Sequence, residues 1–172
     1  MRLRPLEIRD AAPMLAWMHD PDTVSLLNAD FGSKTLSDCL SFIEASRDES
    51  VNLHRAVADD ADRYLGTVSL KAIDRDRGSA EFAITVGPEA RGSGAAAFAM
   101  KEILRLAFDT LSLKTVYWYV NPHNLRAIRF YEKQGFLPVD IHFPDLPVKN
   151  PDPGMVWFLL KEACLCANQS PS

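Results

Sequence analysis

Val86-Gly87-Pro88-Glu89-Ala90-Arg91-Gly92-Ser93-Gly94-Ala95-Ala96 is the stretch on which the reading of this chain turns. A strand end runs through Pro88 and two glycines into an alanine-rich segment that reads as a helix. With no Cβ at Gly92 and Gly94, backbone N–H groups from Gly92 through Ala96 can point at a bound anion. The first turn of the helix adds unpaired donors and roughly half a positive charge from its aligned peptide dipoles, which favours a phosphorylated ligand without a dedicated lysine. Ala95, Ala96 and Ala97 keep the approach open. Standing alone, a Gly-x-Gly pair before a helix is also an ordinary tight turn.

A second stretch follows after one helix and one strand: Asn124-Leu125-Arg126-Ala127-Ile128-Arg129-Phe130-Tyr131-Glu132-Lys133-Gln134-Gly135-Phe136. It reads as a helix closed by glycine and followed by an aromatic strand start. Around these two stretches the periodicity changes in a regular order. A strand at residues 3–5 precedes a helix over 8–19, with Ala12, Leu15, Ala16 and Met18 in helical register, ended by Asp20-Pro21-Asp22. A second helix follows Thr35, with Leu36, Leu40 and Ile43 on one face. Residues 52–58, 64–72 and 80–86 read as a meander of three strands separated by polar turns.

The helix over 94–111 carries Met100, Ile103, Leu104, Ala107, Phe108 and Leu111 at the spacing of a buried face. Residues 115–120 are dense in β-branched and aromatic side chains, as a central strand requires. Asn121-Pro122 or Asn124 caps the next helix. Phe136 and residues 155–160 open the last two strands, and the proline-rich loop between them is irregular.

The two stretches at this distance, in this order of elements, resemble the acetyl-CoA site of the GNAT superfamily of N-acetyltransferases. In that family the loop is written Arg or Gln, two residues, Gly, one residue, then Gly or Ala, and Arg91, Gly94 and Ala96 match it. The N-terminal stretches Leu3-Arg4-Pro5-Leu6, Asp10-Ala11 and Trp17-Met18-His19-Asp20-Pro21 further resemble the RimJ/RimL-like branch. The fold this implies is α/β, a GNAT-type mixed and mostly antiparallel central sheet flanked by helices, in the order β-α-α-β-β-β-α-β-α-β-β. The expected organisation is one domain over 1–163 with a C-terminal tail over 164–172. The implied activity is acetyl transfer from acetyl-CoA to a primary amine, a peptide α-amine or a small amine, by direct attack on the thioester. Acylation of a nucleotide-linked amino sugar is the enzymatic alternative, and a CoA-binding sensor without turnover is the alternative of another class.

Such a transfer needs a neutral amine, stabilisation of an oxyanion and a proton for the departing thiolate. Glu81, on the strand that leads into the loop, matches the carboxylate that takes the amine's proton in several relatives. Tyr131 falls at the family's general-acid position, and a phenol with pKa near 10 is protonated at neutral pH. The resemblance places the oxyanion donor at a backbone N–H near Thr85 or Val86, where the strand splays from its neighbour, and Gly87-Pro88 ends strand pairing there. It assigns the cofactor to Thr85, Val86, Arg91, Gly92, Ser93, Gly94, Ala95, Ala96 and Asn124, and it sets Trp17 and His19 beside the acceptor. Each also has a plain structural reading: Glu81 as a solvated strand residue, Tyr131 as a packed helix residue, Asn124 as an N-cap. His54 and His123 are rival bases that do not displace Glu81, because a lone strand histidine and a histidine in a proline turn are more often structural.

Composition bounds the rest. A chain of 172 residues can bury about 70% of its unfolded surface without staples. Cys39, Cys164 and Cys166 form an odd set that reads as unpaired thiols. They supply no zinc ligand set, so no metal is expected. No signal-like or membrane-spanning apolar run appears, and the expected location is cytoplasmic, without a membrane partner. A net charge of −4 argues against a nucleic-acid surface. The expected assembly is a monomer or a homodimer.

Overall fold

The structure is a computed structural model that describes residues 1–21 and 31–163. Its centre is a twisted seven-stranded sheet in the order β1-β2-β3-β4-β5-β7-β6. The strands are β1 (Arg2–Arg4), β2 (Leu53–Ala58), β3 (Tyr64–Asp74), β4 (Ser79–Val86), β5 (Thr115–Val120), β6 (Pro138–Val139) and β7 (Val156–Lys161). Every neighbouring pair is antiparallel except β4 and β5, which run parallel because a helix connects them.

That connection is α3 (Ala95–Arg105). Its apolar face, with Ala99, Met100, Ile103 and Leu104, is buried against Val68, Leu70, Phe82, Val116, Trp118 and Phe158. The helix widens at Leu106–Thr110, where Leu111 N–H donates to the Leu106 carbonyl at 2.9 Å. This five-residue step puts Ala107 and Phe108 into the same core. Helix α4 (Leu125–Lys133) lies on the same sheet face, capped by Asn124 Oδ1, which accepts from Ala127 N–H at 3.1 Å.

The opposite face carries α1 (Ala11–Met18), entered through a short 3₁₀ turn at Ile8–Asp10, and α2 (Leu36–Ala45). They bury Met14, Trp17, Cys39 and Ile43 against Ala56 and Tyr64. Two expected faces are corrected here. The 3₁₀ entry delays α1, so Ala11, Met14 and Trp17 turn inward while Ala12 and Ala16 are exposed. In α2, reciprocal capping between Thr35 and Asp38 fixes the start. The inward positions are then Cys39 and Ile43, and Leu36 and Leu40 face outward.

The first strand is anchored by a buried ion pair. Arg4 Nη1 and Nη2 donate to Asp10 Oδ2 and Oδ1 at 2.7 and 2.8 Å, and Arg4 Nε donates to Asp62 Oδ1 at 2.9 Å. The proline-rich loop covers a third cluster of Tyr117, Leu146 and Trp157. Cys39 is buried and unpaired, whereas Cys164, Cys166 and the expected tail over 164–172 lie outside the described residues, as does Asp22. Among the described residues no helix is long and apolar enough to cross a membrane.

Candidate active site

The site begins where β4 and β5 part. Their pairing runs Ser79↔Thr115, Ala80↔Val116 and Glu81↔Tyr117 and ends there. Beyond Glu81, β4 stays in register with β3 on its other side, through Thr67↔Thr85 and Gly66↔Val86. Gly87 N–H donates to the Leu65 carbonyl at 2.8 Å, extending that hold past the strand end. Gly66 is required for this approach: a Cβ there would sit 2.2 Å from the Thr85 carbonyl oxygen and 2.8 Å from Val86 Cα. The result is a wedge-shaped split in the sheet, with one wall made by residues 82–86.

Three cavities meet at Ile84 and Thr85. On the α3/α4 side, about 380 Å³ is enclosed by β4, the glycine loop and α4, lined by Val86, Arg91, Gly92, Gly94, Ala96, Asn124, Arg126 and Tyr131, among others. Gly92 and Gly94 adopt φ of 78° and 87°, a left-handed conformation that other residues reach only at a cost. A Cβ at either would meet nothing within 4 Å, so the glycines serve the path of the backbone and leave room above it. Gly94 directly precedes α3, so the first-turn N–H groups of that helix face this space. The open cradle, the helix start and the adjacent Arg91 and Arg126 fit a phosphorylated ligand.

On the α1/α2 side, a cavity of about 400 Å³ is walled by Met14, Trp17, Met18, Phe31 and Phe42, with His54, Ser69 and Lys71 on its sheet floor. The cleft of the split itself, about 290 Å³, holds Lys71, Glu81, Asn124 and Tyr131 together. Glu81 Oε1 is 2.5 Å from Lys71 Nζ. Tyr131 packs its ring among Phe82, Phe130, Trp118 and Phe158, at centroid distances of 5.1–6.3 Å. Burial pushes its phenol well above the usual tyrosine range, so it stays protonated at neutral pH.

The expected site residues therefore divide. Glu81, Tyr131, Thr85 and Asn124 share the split, while Val86, Arg91, Gly92, Gly94 and Ala96 line the α3/α4 cavity. Asn124 is both an N-cap and a lining residue, so its two readings hold together. Arg91 reaches Asp20 at 3.3 Å, linking the loop to the end of α1. Ser93 and Ala95 serve the turn instead of lining the space. Ser93 Oγ donates to the Ala90 carbonyl at 2.7 Å and accepts from Ala95 N–H at 3.3 Å, and the Ala95 side chain is buried. Trp17 forms part of the α1/α2 cavity. His19 does not line it, because its Nε2 lies 2.9 Å from the Lys34 carbonyl oxygen and ties α1 to the start of α2.

Residues 1–137 match the acetyltransferase (GNAT) domain family. The chain belongs to that family. GNAT domains are acyltransferases that draw on acetyl-CoA, and the phosphate-fitting cradle of this one lies where its loop meets α3. The chain is 30% identical over 146 residues to the spermidine N(1)-acetyltransferase of Escherichia coli K12, an alignment covering 79% of this chain and 72% of that protein. It is 37% identical over 84 residues to the Vibrio cholerae spermidine N(1)-acetyltransferase, covering 48% of this chain. That alignment spans about half of the relative's length, 49%. The crystal structure of a Vibrio cholerae spermidine N-acetyltransferase in complex with CoA and spermine superposes with a TM-score of 0.79 at 21% identity, over 94% of this chain and 95% of that one. A dodecameric structure of the Vibrio cholerae enzyme superposes with a TM-score of 0.72 at 21% identity, over 98% of each chain. The GNAT fold is thus common to this chain and the two superposed structures.

Two residues of this GNAT site, Lys71 and Arg126, are not evident from the sequence pattern, and a third, His54, stands there only as a rival base. Lys71 meets Glu81 only through the β3–β4 register, in which the two are directly opposite. His54 faces the α1/α2-side cavity, its Nδ1 2.7 Å from Ser69 Oγ, and burial, with Lys71 and Arg55 nearby, lowers its pKa below the usual imidazole value. Arg126 reaches the α3/α4 cavity from the first turn of α4. Its position two residues after the capping Asn124 is the one signal that could have found it.

Proposed function

We propose that this chain transfers an acetyl group from acetyl-CoA to a primary amine, with the donor entering on the α3/α4 side and the amine on the α1/α2 side. The observation that carries the reading is the split: β4–β5 pairing stops at Glu81 and Tyr117, and the cavities on the two sheet faces and in the split share Ile84 and Thr85 in their linings.

In this reading the glycine loop and the start of α3 hold the pyrophosphate, with Arg91 and Arg126 balancing its charge. Acetyl-CoA supplies an activated thioester carbonyl. The Glu81 carboxylate takes a proton from the incoming ammonium, directly or through water, with the Lys71 ammonium 2.5 Å from it. A peptide N–H near Thr85 or Val86, on the edge of β4 that β5 has left, donates to the carbonyl oxygen as it gains charge. The amine nitrogen forms its bond to the carbonyl carbon, the carbon–sulfur bond breaks, and the Tyr131 phenol donates a proton to the sulfur; the second proton, lost by the attacking nitrogen, restores the phenol, and Glu81 gives the first to solvent. Asn124 borders both the donor cavity and the split.

Two acceptor readings compete. A RimJ/RimL-like member acts on an α-amine, a small amine or a nucleotide-linked amino sugar, whereas the relatives above are named for spermidine. The full chain assayed for CoA thiol release with peptides, amino acids, polyamines and amino-sugar nucleotides separates them. Absence of release with every amine, in a protein that still binds CoA, overturns the transferase reading in favour of a sensor. A monomer or homodimer is the proposed assembly, and light scattering distinguishes it from the larger assembly of the Vibrio cholerae relative.

A further inference from the structure

The walls of the acceptor-side cavity carry a chemistry of their own. Met14, Trp17, Met18, Phe31 and Phe42 make it apolar over most of its lining, while the charged groups it presents among the described residues are Lys34, Asp38 and Lys71. Asp38 Oδ2 is engaged by Thr35, accepting from its N–H at 2.8 Å and from its Oγ1 at 2.7 Å to cap α2. Lys71 lines both this cavity and the split, and Glu81 lies against it at 2.5 Å. A polycation brought to this site would meet the Lys34 and Lys71 ammonium groups as well as the Asp38 and Glu81 carboxylates, a balance among the described residues that gives it no net attraction.

The Lys71–Glu81 pair has instead the form of a receptor for a zwitterion. It offers one cation and one anion side by side, at the mouth through which the amine must reach Ile84 and Thr85. An α-amino acid presents the complementary pair, an ammonium for Glu81 and a carboxylate for Lys71. Two opposed ion pairs then replace one, and no charge is left buried alone. The side chain of such a ligand points away from the split, toward the methionines and aromatics. A cavity of about 400 Å³ accommodates an aromatic or thioether side chain.

We propose that the acceptor is a free α-amino acid with a large apolar side chain, its ammonium and carboxylate held by Glu81 and Lys71. This rests on the transferase reading above and narrows it to one substrate class.

The test uses the full chain with phenylalanine, methionine and tryptophan, their carboxamides, and spermidine. CoA release gives turnover, and calorimetry of the CoA-loaded protein gives binding. The expected kcat/KM for the amino acids exceeds that for their amides and for spermidine by about tenfold or more, the usual worth of a hydrogen bond to a charged group. Lys71→Gln should bring the acid-to-amide ratio close to one, and Lys71→Arg should restore most of it. A change common to acid and amide reports only on Glu81, so the ratio is the diagnostic quantity. Fastest turnover of spermidine, or a ratio unchanged in Lys71→Gln, overturns the proposal while leaving the transferase intact. Binding of phenylalanine without any CoA release supports the acceptor site and overturns the transferase reading instead.

Discussion

Glu81 and Tyr117 form the last pair at which β4 and β5 remain in register. The carboxylate therefore stands at the apex of the split, on the last residue of β4 that is still held from both sides. A base placed there is positioned by two strands and borders the space through which an amine must pass. The lysine opposite it on β3 lies 2.5 Å from the carboxylate.

Glu81→Gln is expected to lower turnover about 10²–10⁴-fold at neutral pH, the range of a general base. Because the lost function is deprotonation, the defect should shrink as pH rises toward the pKa of the acceptor. A pH profile of kcat/KM for both proteins checks this, and parallel profiles would remove Glu81 from the role.

Tyr131→Phe should lower turnover with no such recovery at high pH. Burial holds the phenol protonated beyond the ordinary tyrosine range, so the wild-type acid limb should lie above about pH 10. The ring contacts survive the substitution, and the melting temperature should stay close to that of the wild type. A large loss of stability would mark the hydroxyl as structural.

Gly94→Asp places a negative charge at the start of α3, where the helix dipole favours an anion. A side chain there meets no atom within 4 Å, so the fold should persist, at a backbone cost of about 1 kcal/mol for the left-handed φ. CoA affinity measured by calorimetry should fall sharply, whereas Gly94→Ala should lose little beyond that backbone cost. Equal affinities in Gly94→Asp and wild type would detach the loop from the donor.

Gly66→Ala is predicted to be worse than its size suggests. Its Cβ would overlap the backbone of Thr85 and Val86, and backbone cannot rotate out of the way. The wall of the split must shift, so kcat should drop even where the protein still binds CoA. Wild-type kcat in a folded variant would show that the position of Thr85 does not matter.

Stability should weaken in acid through Asp62. Hydrogen bonds from Arg9 and Arg4 lower its carboxyl from 3.8 to about 2. A carboxylate depressed in the folded state contributes stability above its unfolded value, and that contribution is lost as pH falls from about 4 through about 2. Denaturant midpoints from pH 5 to pH 2 should fall less steeply in Asp62→Asn. Asp10→Ala, which strips the buried Arg4 of its bidentate partner, should cost about 3–5 kcal/mol at neutral pH.

Much of this molecule was legible locally. Gly92 and Gly94 announced a backbone path that few other residues follow, Thr35 marked the start of a helix, and the β-branched run at Thr115–Val120 announced a central strand. These readings succeed because they concern residues near one another in the chain, where sterics and hydrogen bonding act without reference to the rest. The pairing of the two motifs, at the distance of one helix and one strand, carried the family.

What the tertiary structure decided depends on register and on the angles between elements. The inward faces of α1 and α2 followed from where each helix began, and a shift of one residue exchanged Leu40 for Cys39. Lys71 and Glu81 are ten residues apart in the chain and separated by a turn, and only strand pairing sets them against each other. The meeting of three cavities at Ile84 and Thr85 requires that β4 leave β5 while staying bound to β3. No local pattern encodes that, because it is a difference between two long-range pairings of a single strand.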